Sequence, residues 1–158
     1  MNARQKKILR ELFIVITITI FAVFMMINLK DLVNRSEAIK AMKALSKRST
    51  EYRKIHNSVP SEKWFEIQKE TLPGAPRLGD IKSRGIWINP DSPDDEILAY
   101  SYRNYHSLFI EKGYVVLRLN GKVQWMEKNE FEQLLKEQQG KAESQLLQNQ
   151  LQDTSEAF

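Results

Sequence analysis

The chain begins with a short basic stretch. It then reads LFIVITITIFAVFMMINL from Leu12 to Leu29, where Thr17, Thr19 and Asn28 are the only polar side chains and no charge occurs. About 18 apolar residues is close to the length with which a helix crosses the hydrocarbon core of a bilayer. The run is apolar on every face, which argues against the buried helix of a soluble domain. Thr17 and Thr19 can return their hydroxyls to carbonyls one turn back, so both are compatible with lipid. A cleaved signal peptide would also start with basic residues, here Arg4 to Arg10. Its apolar stretch should be shorter and end in small residues, whereas this one ends Met25-Met26-Ile27-Asn28-Leu29-Lys30. The pattern predicts a basic tail over 1–11 and an uncleaved transmembrane helix over 12–29.

After Leu29 the charge content rises, yet neither Gly nor Pro appears before Pro60. Ala38, Ala41 or Met42, Leu45, Tyr52 and Ile55 recur at helical spacing, with Lys40, Lys43, Lys47 and Arg53 largely elsewhere. The helix is therefore expected to continue through 30–57 as an amphipathic extension of the anchor. His56-Asn57-Ser58-Val59-Pro60 ends it, because the residue before proline avoids the helical region.

A small α+β domain follows over 58–137. Ser61 is placed to cap a short helix to about Glu70, with Trp64 and Ile67 on its buried side. Residues 71–85, rich in Pro and Gly, read as loop. Strand patterns follow at 85–88, 96–102, 107–110, 114–119 and 122–126. Asn120-Gly121 is the preferred pair for a two-residue type I′ hairpin. That turn would set Val116 opposite Trp125, Arg118 opposite Val123 and Leu117 opposite Gln124, leaving both faces mixed. Asn129 is placed to cap a last helix to about Glu137, with Phe131, Leu134 and Leu135 inward. From Gln138 to Phe158 the chain turns Gln-rich and reads as a flexible tail with a marginal helix around 144–151.

Composition narrows the chemistry. The 158 residues leave room for one small core beside the anchor, and there is no cysteine, which excludes disulfides and thiolate chemistry. The net charge of +4 comes from 24 basic and 20 acidic residues, interspersed, which gives no nucleic-acid footprint. Arg4, Lys6, Lys7 and Arg10 on one side of the apolar run, and Lys40, Lys43, Lys47 and Arg48 on the other, suit attraction to anionic headgroups. Counting positive charges does not orient the span, but the short basic N-terminus fits an N-in signal-anchor with the domain outside the cytoplasm.

His56 and His106 lie fifty positions apart with no defined carboxylate partner, so no metal or catalytic site is expected. Asp91, Asp94, Asp95 and Glu96 lack the alternation and glycine of a calcium loop and read as a solvated turn. Trp64, Trp87 and Trp125 are expected in the core. No phosphate loop, nucleophile motif or catalytic carboxylate pair is recognisable. Catalytic residues, metal ligands and cofactors are accordingly expected to be none.

A long N-terminal helix, half lipidic and half amphipathic, followed by a small antiparallel sheet, resembles type IV pilins and type II secretion pseudopilins. Glu11-Leu12-Phe13-Ile14-Val15-Ile16 is similar to the pilin segment in which a glutamate precedes an apolar run. The resemblance implies that Glu11 takes part in helix–helix interaction. Arg10 stands where pilins usually carry an apolar residue, and Lys6 and Lys7 occupy the processing site, where pilins have glycine and usually phenylalanine. Ile97-Leu98-Ala99-Tyr100 and the stretch from Val115 to Met126, with Glu130-Phe131, are similar to the C-terminal part of planctomycete-type pilin-like proteins. Asn120 and Lys122 replace the Asp and His of that family's turn.

These resemblances imply a non-catalytic pilin-like structural or accessory subunit of a bacterial secretion or pilus-type assembly. It would sit in the inner membrane with a periplasmic domain. Its partners would be the lipid bilayer and other pilin-like subunits or secretion-system inner-membrane proteins, with no nucleic acid. The alternative is a solitary single-pass anchored binding domain that does not polymerise.

Overall fold

A computed structural model describes residues 3–105, 107, 112–140 and 143. Helix α1 runs without a break from Ala3 to His56, 54 residues, about 80 Å at 1.5 Å per residue. It ends where expected. Asn57 takes the left-handed conformation at φ 47°, and its N–H donates to the Arg53 carbonyl at 2.9 Å. Asparagine tolerates that geometry, which closes a helix much as glycine does.

Ser61 then caps α2 (Glu62–Glu70), its hydroxyl accepting from the Trp64 N–H. The buried side of α2 differs from the expectation: Phe65 is fully buried and Trp64 partly so, whereas Ile67 is exposed. The stretch expected to be loop contains the short helix α3 (Ala75–Leu78) and the two-residue strand β1 (Lys82–Ser83). Strands β2 (Ile97–Arg103), β3 (Gly113–Arg118) and β4 (Val123–Glu127) complete an antiparallel sheet in the order β1-β2-β3-β4.

Residues 85–88 form no strand. The N–H groups of Trp87 and Ile88 both turn back onto the Arg84 carbonyl. Gly85 packs so tightly on Pro60 that a Cβ there would lie 2.2 Å from the Pro60 carbonyl oxygen. Of the strand expected at 107–110, Ser107 is not extended into the sheet, and the remaining positions lie outside the described residues.

The β3–β4 turn is a three-residue loop rather than a type I′ pair. Gly121 donates to the Arg118 carbonyl and Arg118 to the Lys122 carbonyl, each at 2.9 Å, and only Gly121 of the turn has positive φ, at 84°. A type I turn followed by one left-handed residue is the next most common hairpin connection. The extra residue shifts the register by one, so Val115 faces Trp125, Val116 faces Gln124 and Leu117 faces Val123.

A one-residue slip exchanges the faces of a strand, and the observed register sorts them. Val115, Leu117, Val123 and Trp125 join the stripe of α1 made by Ala38, Ala41, Met42 and Leu45. Val116 and Met126 pack on the other side with Phe131 of α4 (Lys128–Gln138). A register irregularity between Ile97 and Ala99 lets the neighbours Leu98 and Ala99 both reach the α1 side.

Helix α4 begins two residues earlier than expected. Its N-cap is Glu127, which makes no side-chain capping bond, so Asn129 lies inside the helix. Phe131 is buried, with Leu134 and Leu135 packed beside it. Of the stretch expected to be a tail, Gln138 ends α4 and Glu143 is buried. The marginal helix expected at 144–151 lies outside the described residues.

Candidate functional site

From Ile8 to Leu29 the large apolar side chains of α1 stand uncovered by the domain, with Phe24 the one partly sheltered. The hydroxyls of Thr17 and Thr19 donate to the carbonyls of Phe13 and Val15 at 2.8 and 2.9 Å, so neither presents an unpaired polar group to its surroundings. By length and composition this segment is a candidate membrane span.

Glu11 sits at its start, exposed, 3.9 Å from Lys7 one turn earlier. That spacing suits an intrahelical ion pair, which contributes little at a solvated surface. Glu11 makes no contact with the domain among the described residues.

At the other end the domain meets the helix without a linker. The Asn28 amide donates to the Phe24 carbonyl at 2.8 Å while its oxygen accepts the Ser107 hydroxyl at 2.6 Å. One turn on, Asp31 is 8% exposed. Two turns on, the Arg35 guanidinium lies 4.7 Å from the centre of the Trp125 ring, and Tyr105 packs on the same indole. A cation over an aromatic face ties the helix to the sheet at this level.

Farther along, Arg48 donates to the Gln68 side chain and the Thr71 hydroxyl, and Arg53 to the carbonyls of Leu119 and Pro90. The helix thus enters the domain as its spine. It is pinned by three arginines as well as by its apolar stripe.

The candidate chemical groups lie apart from one another in the fold. His56 is exposed at the end of α1, its ring tilted against that of Tyr52, and His106 lies outside the described residues. Among the described residues no three His, Asp or Glu side chains gather in a metal-binding arrangement. The acidic turn serves the hairpin through its backbone. Carbonyls of Asp94, Asp95 and Glu96 accept from the Asn120 N–H, the Arg118 side chain and the Leu119 N–H respectively. Trp64 and Trp125 border the core, whereas Trp87 is 37% exposed, a correction caused by the turn at Gly85.

Burial pushes the Tyr100 hydroxyl up to about 12, with Tyr114 close by adding to the effect. Tyr100, Tyr114 and Phe131 form one aromatic cluster under α4. That setting is a packed interior rather than a poised acid.

One residue had no signal in the sequence. Arg84 is 3% exposed and grips Glu143 with two parallel bonds of 2.7 and 3.0 Å. It also donates to the carbonyl of Ile97 and to both oxygens of Gln138. Those contacts use all five guanidinium donors, so Arg84 keeps none for a ligand. Its partners come from positions 54 and 59 residues away, which is why local pattern could not find it.

These features define a class: a small α+β domain built on the second half of a single long helix whose first half is a candidate membrane span. No family model, curated protein or solved structure matches the chain, so the class rests on its own geometry.

Proposed function

We propose that the chain is a non-catalytic, single-span membrane protein of pilin-like design. It acts as a structural or accessory subunit of a secretion or pilus-type assembly in the inner membrane, with its domain on the periplasmic side. The observation that carries this reading is the uninterrupted helix from Ala3 to His56, uncovered over its apolar half and the core's spine over the rest. A helix so built holds the domain at a fixed height and orientation over the bilayer, as a structural subunit requires.

A solitary anchored domain that binds its partner without polymerising is the second reading. Lys6 and Lys7 at the pilin processing site favour it, as does the presence of Ala22 as the single Gly, Ala or Ser in the apolar run. The experiment is the intact mass and crosslinking state of the full-length protein from native membranes. A trimmed N-terminus or a ladder of crosslinked species supports the assembling subunit. An intact, purely monomeric protein eliminates it and leaves the solitary domain.

Orientation is tested separately. Because the chain has no cysteine, a Lys122→Cys variant should react with a membrane-impermeant maleimide in intact spheroplasts and a Gln5→Cys variant should not. The reverse pattern would overturn the proposed orientation.

A further inference from the structure

The basic side chains in the packed half of α1 separate by type. Each arginine there, Arg35, Arg48 and Arg53, is engaged by the domain. Lys40, Lys43, Lys47 and Lys54 are exposed and make no ion pair among the described residues. Glu51, on the same side, pairs with none of them.

At about 100° per residue, Glu11, Leu29, Lys40, Lys43, Lys47 and Lys54 fall within roughly 40° of one line down the helix, opposite the stripe of Ala38, Met42 and Leu45. Like charges at spacings of three and four oppose each other on a helix. Glu51 stands four residues from Lys47 and three from Lys54, so the uncompensated repulsion lies among Lys40, Lys43 and Lys47, and a neighbouring negative surface would recover its small cost.

We infer that this face of α1 docks a different membrane-anchored polypeptide, one whose emerging helix presents carboxylates alongside Lys40, Lys43 and Lys47. The inference rests on the membrane-span reading above. Two other occupants fit worse. A second copy in parallel would set each lysine row against its own image and Glu11 against Glu11. The bilayer is too distant: an upright helix lifts Lys40 to Lys54 about 16 to 37 Å beyond Leu29. The headgroup layer ends roughly 6 Å out, and surface charge is screened within roughly 8 Å at physiological salt. Headgroup attraction therefore explains the basic residues before Leu12 but not these lysines. Charge complementarity selects an acidic partner helix rising beside this one.

A zero-length carbodiimide, which joins a lysine amine to a carboxylate it touches, tests this on the full-length protein in native membranes. The expected products link Lys40, Lys43 or Lys47 to Asp or Glu of another polypeptide, while Lys122, on the hairpin turn, yields none. Replacing the three lysines together (Lys40→Gln, Lys43→Gln, Lys47→Gln) should lower the intermolecular product roughly tenfold. It should leave thermal unfolding of the domain unchanged.

The inference is overturned if those lysines couple only to a second copy of the chain, or only to phosphatidylserine. It is also overturned if they couple no more than Lys122 does, or if the triple variant couples as before. Alkaline carbonate extraction of the same membranes separates the two levels. Protein released by carbonate defeats the membrane-span reading and this inference with it, whereas retained protein with no product defeats this inference alone.

Discussion

From Ile8 to Leu29 the long helix leaves its large apolar side chains, Phe24 apart, roughly half exposed or more, whereas a few turns later Ala38, Met42 and Leu45 have no exposed surface at all. No glycine or proline separates the two stretches, and the hydrogen-bonded backbone continues through the junction at Asn28 and Asp31. Two regions of one rigid element therefore serve different surroundings. The first half has no core to contribute to, and the second half supplies Ala38, Ala41, Met42 and Leu45 to the core on one side of the sheet. Substitutions in the two halves should have separable consequences, one on anchorage and one on folding.

The largest effect is expected from Leu45→Ala. Removing a fully buried leucine should cost the domain about 4 kcal/mol, read by denaturant unfolding of the full-length protein in detergent. The matching change in the first half, Ile18→Ala, should leave that transition where it is. Equal losses from both would mean that the first half is packed on something, and the contrast would collapse. Next in size is Ile18→Arg, which puts a charge near the middle of the apolar run at a cost of about 3 kcal/mol for insertion. The carbonate-resistant fraction should drop while the unfolding transition of the domain stays the same.

The halves were unequally legible. The apolar run, the stripe at Ala38, Met42 and Leu45, the stop at Asn57 and the Ser61 cap are all local, and each followed from spacing or from the chemistry of one residue. The sheet was harder. Asn120-Gly121 correctly announced a hairpin, but the number of loop residues depends on whether Asn120 or only Gly121 takes positive φ. That choice is made by tertiary contacts: the Leu119 and Asn120 N–H groups are engaged by the Glu96 and Asp94 carbonyls, and Ser46 of the helix donates to the Gly121 carbonyl at 2.7 Å. Gly85 to Ile88 has strand composition, yet Gly85 is drawn against Pro60 and the chain turns there. Arg84 and Glu143 carry no pattern at all, because an ion pair across 59 positions is invisible to periodicity.

The contact between the packed half and the hairpin supplies a third, smaller test. Gly121 has φ 84°, and a Cβ there would meet the Ser46 hydroxyl at 3.2 Å. Gly121→Ala should destabilise the domain by about 1 to 2 kcal/mol through the left-handed backbone alone. Anchorage should be untouched. A loss near zero would mean that the turn relaxes to another type and that the register is not held from the helix side.

The smallest expected effect concerns acid. Burial by itself raises the Glu66 carboxyl, but the hydrogen bonds from Lys69 and from the Ile81 N–H at 2.8 Å, with the charges of Lys69 and Lys82, outweigh it and hold the group below 4.5. A carboxylate whose pKa is depressed by folding contributes stability above its unfolded value, and that contribution is lost as pH falls through the folded one. Stability of the domain should therefore decline on the acid side of pH 4.5. In Glu66→Gln that part of the decline should flatten, with a lower plateau at neutral pH because the bonds to Lys69 and Ile81 are weakened. The effect is small because Glu66 is partly exposed, where solvent screens its partners. The span from Leu12 to Leu29 has no titratable side chain, so membrane retention should be flat over the same range. Retention that followed the Glu66 titration would show that the domain and the anchor are coupled through the junction at Asn28, and the division of labour along the helix would have to be abandoned.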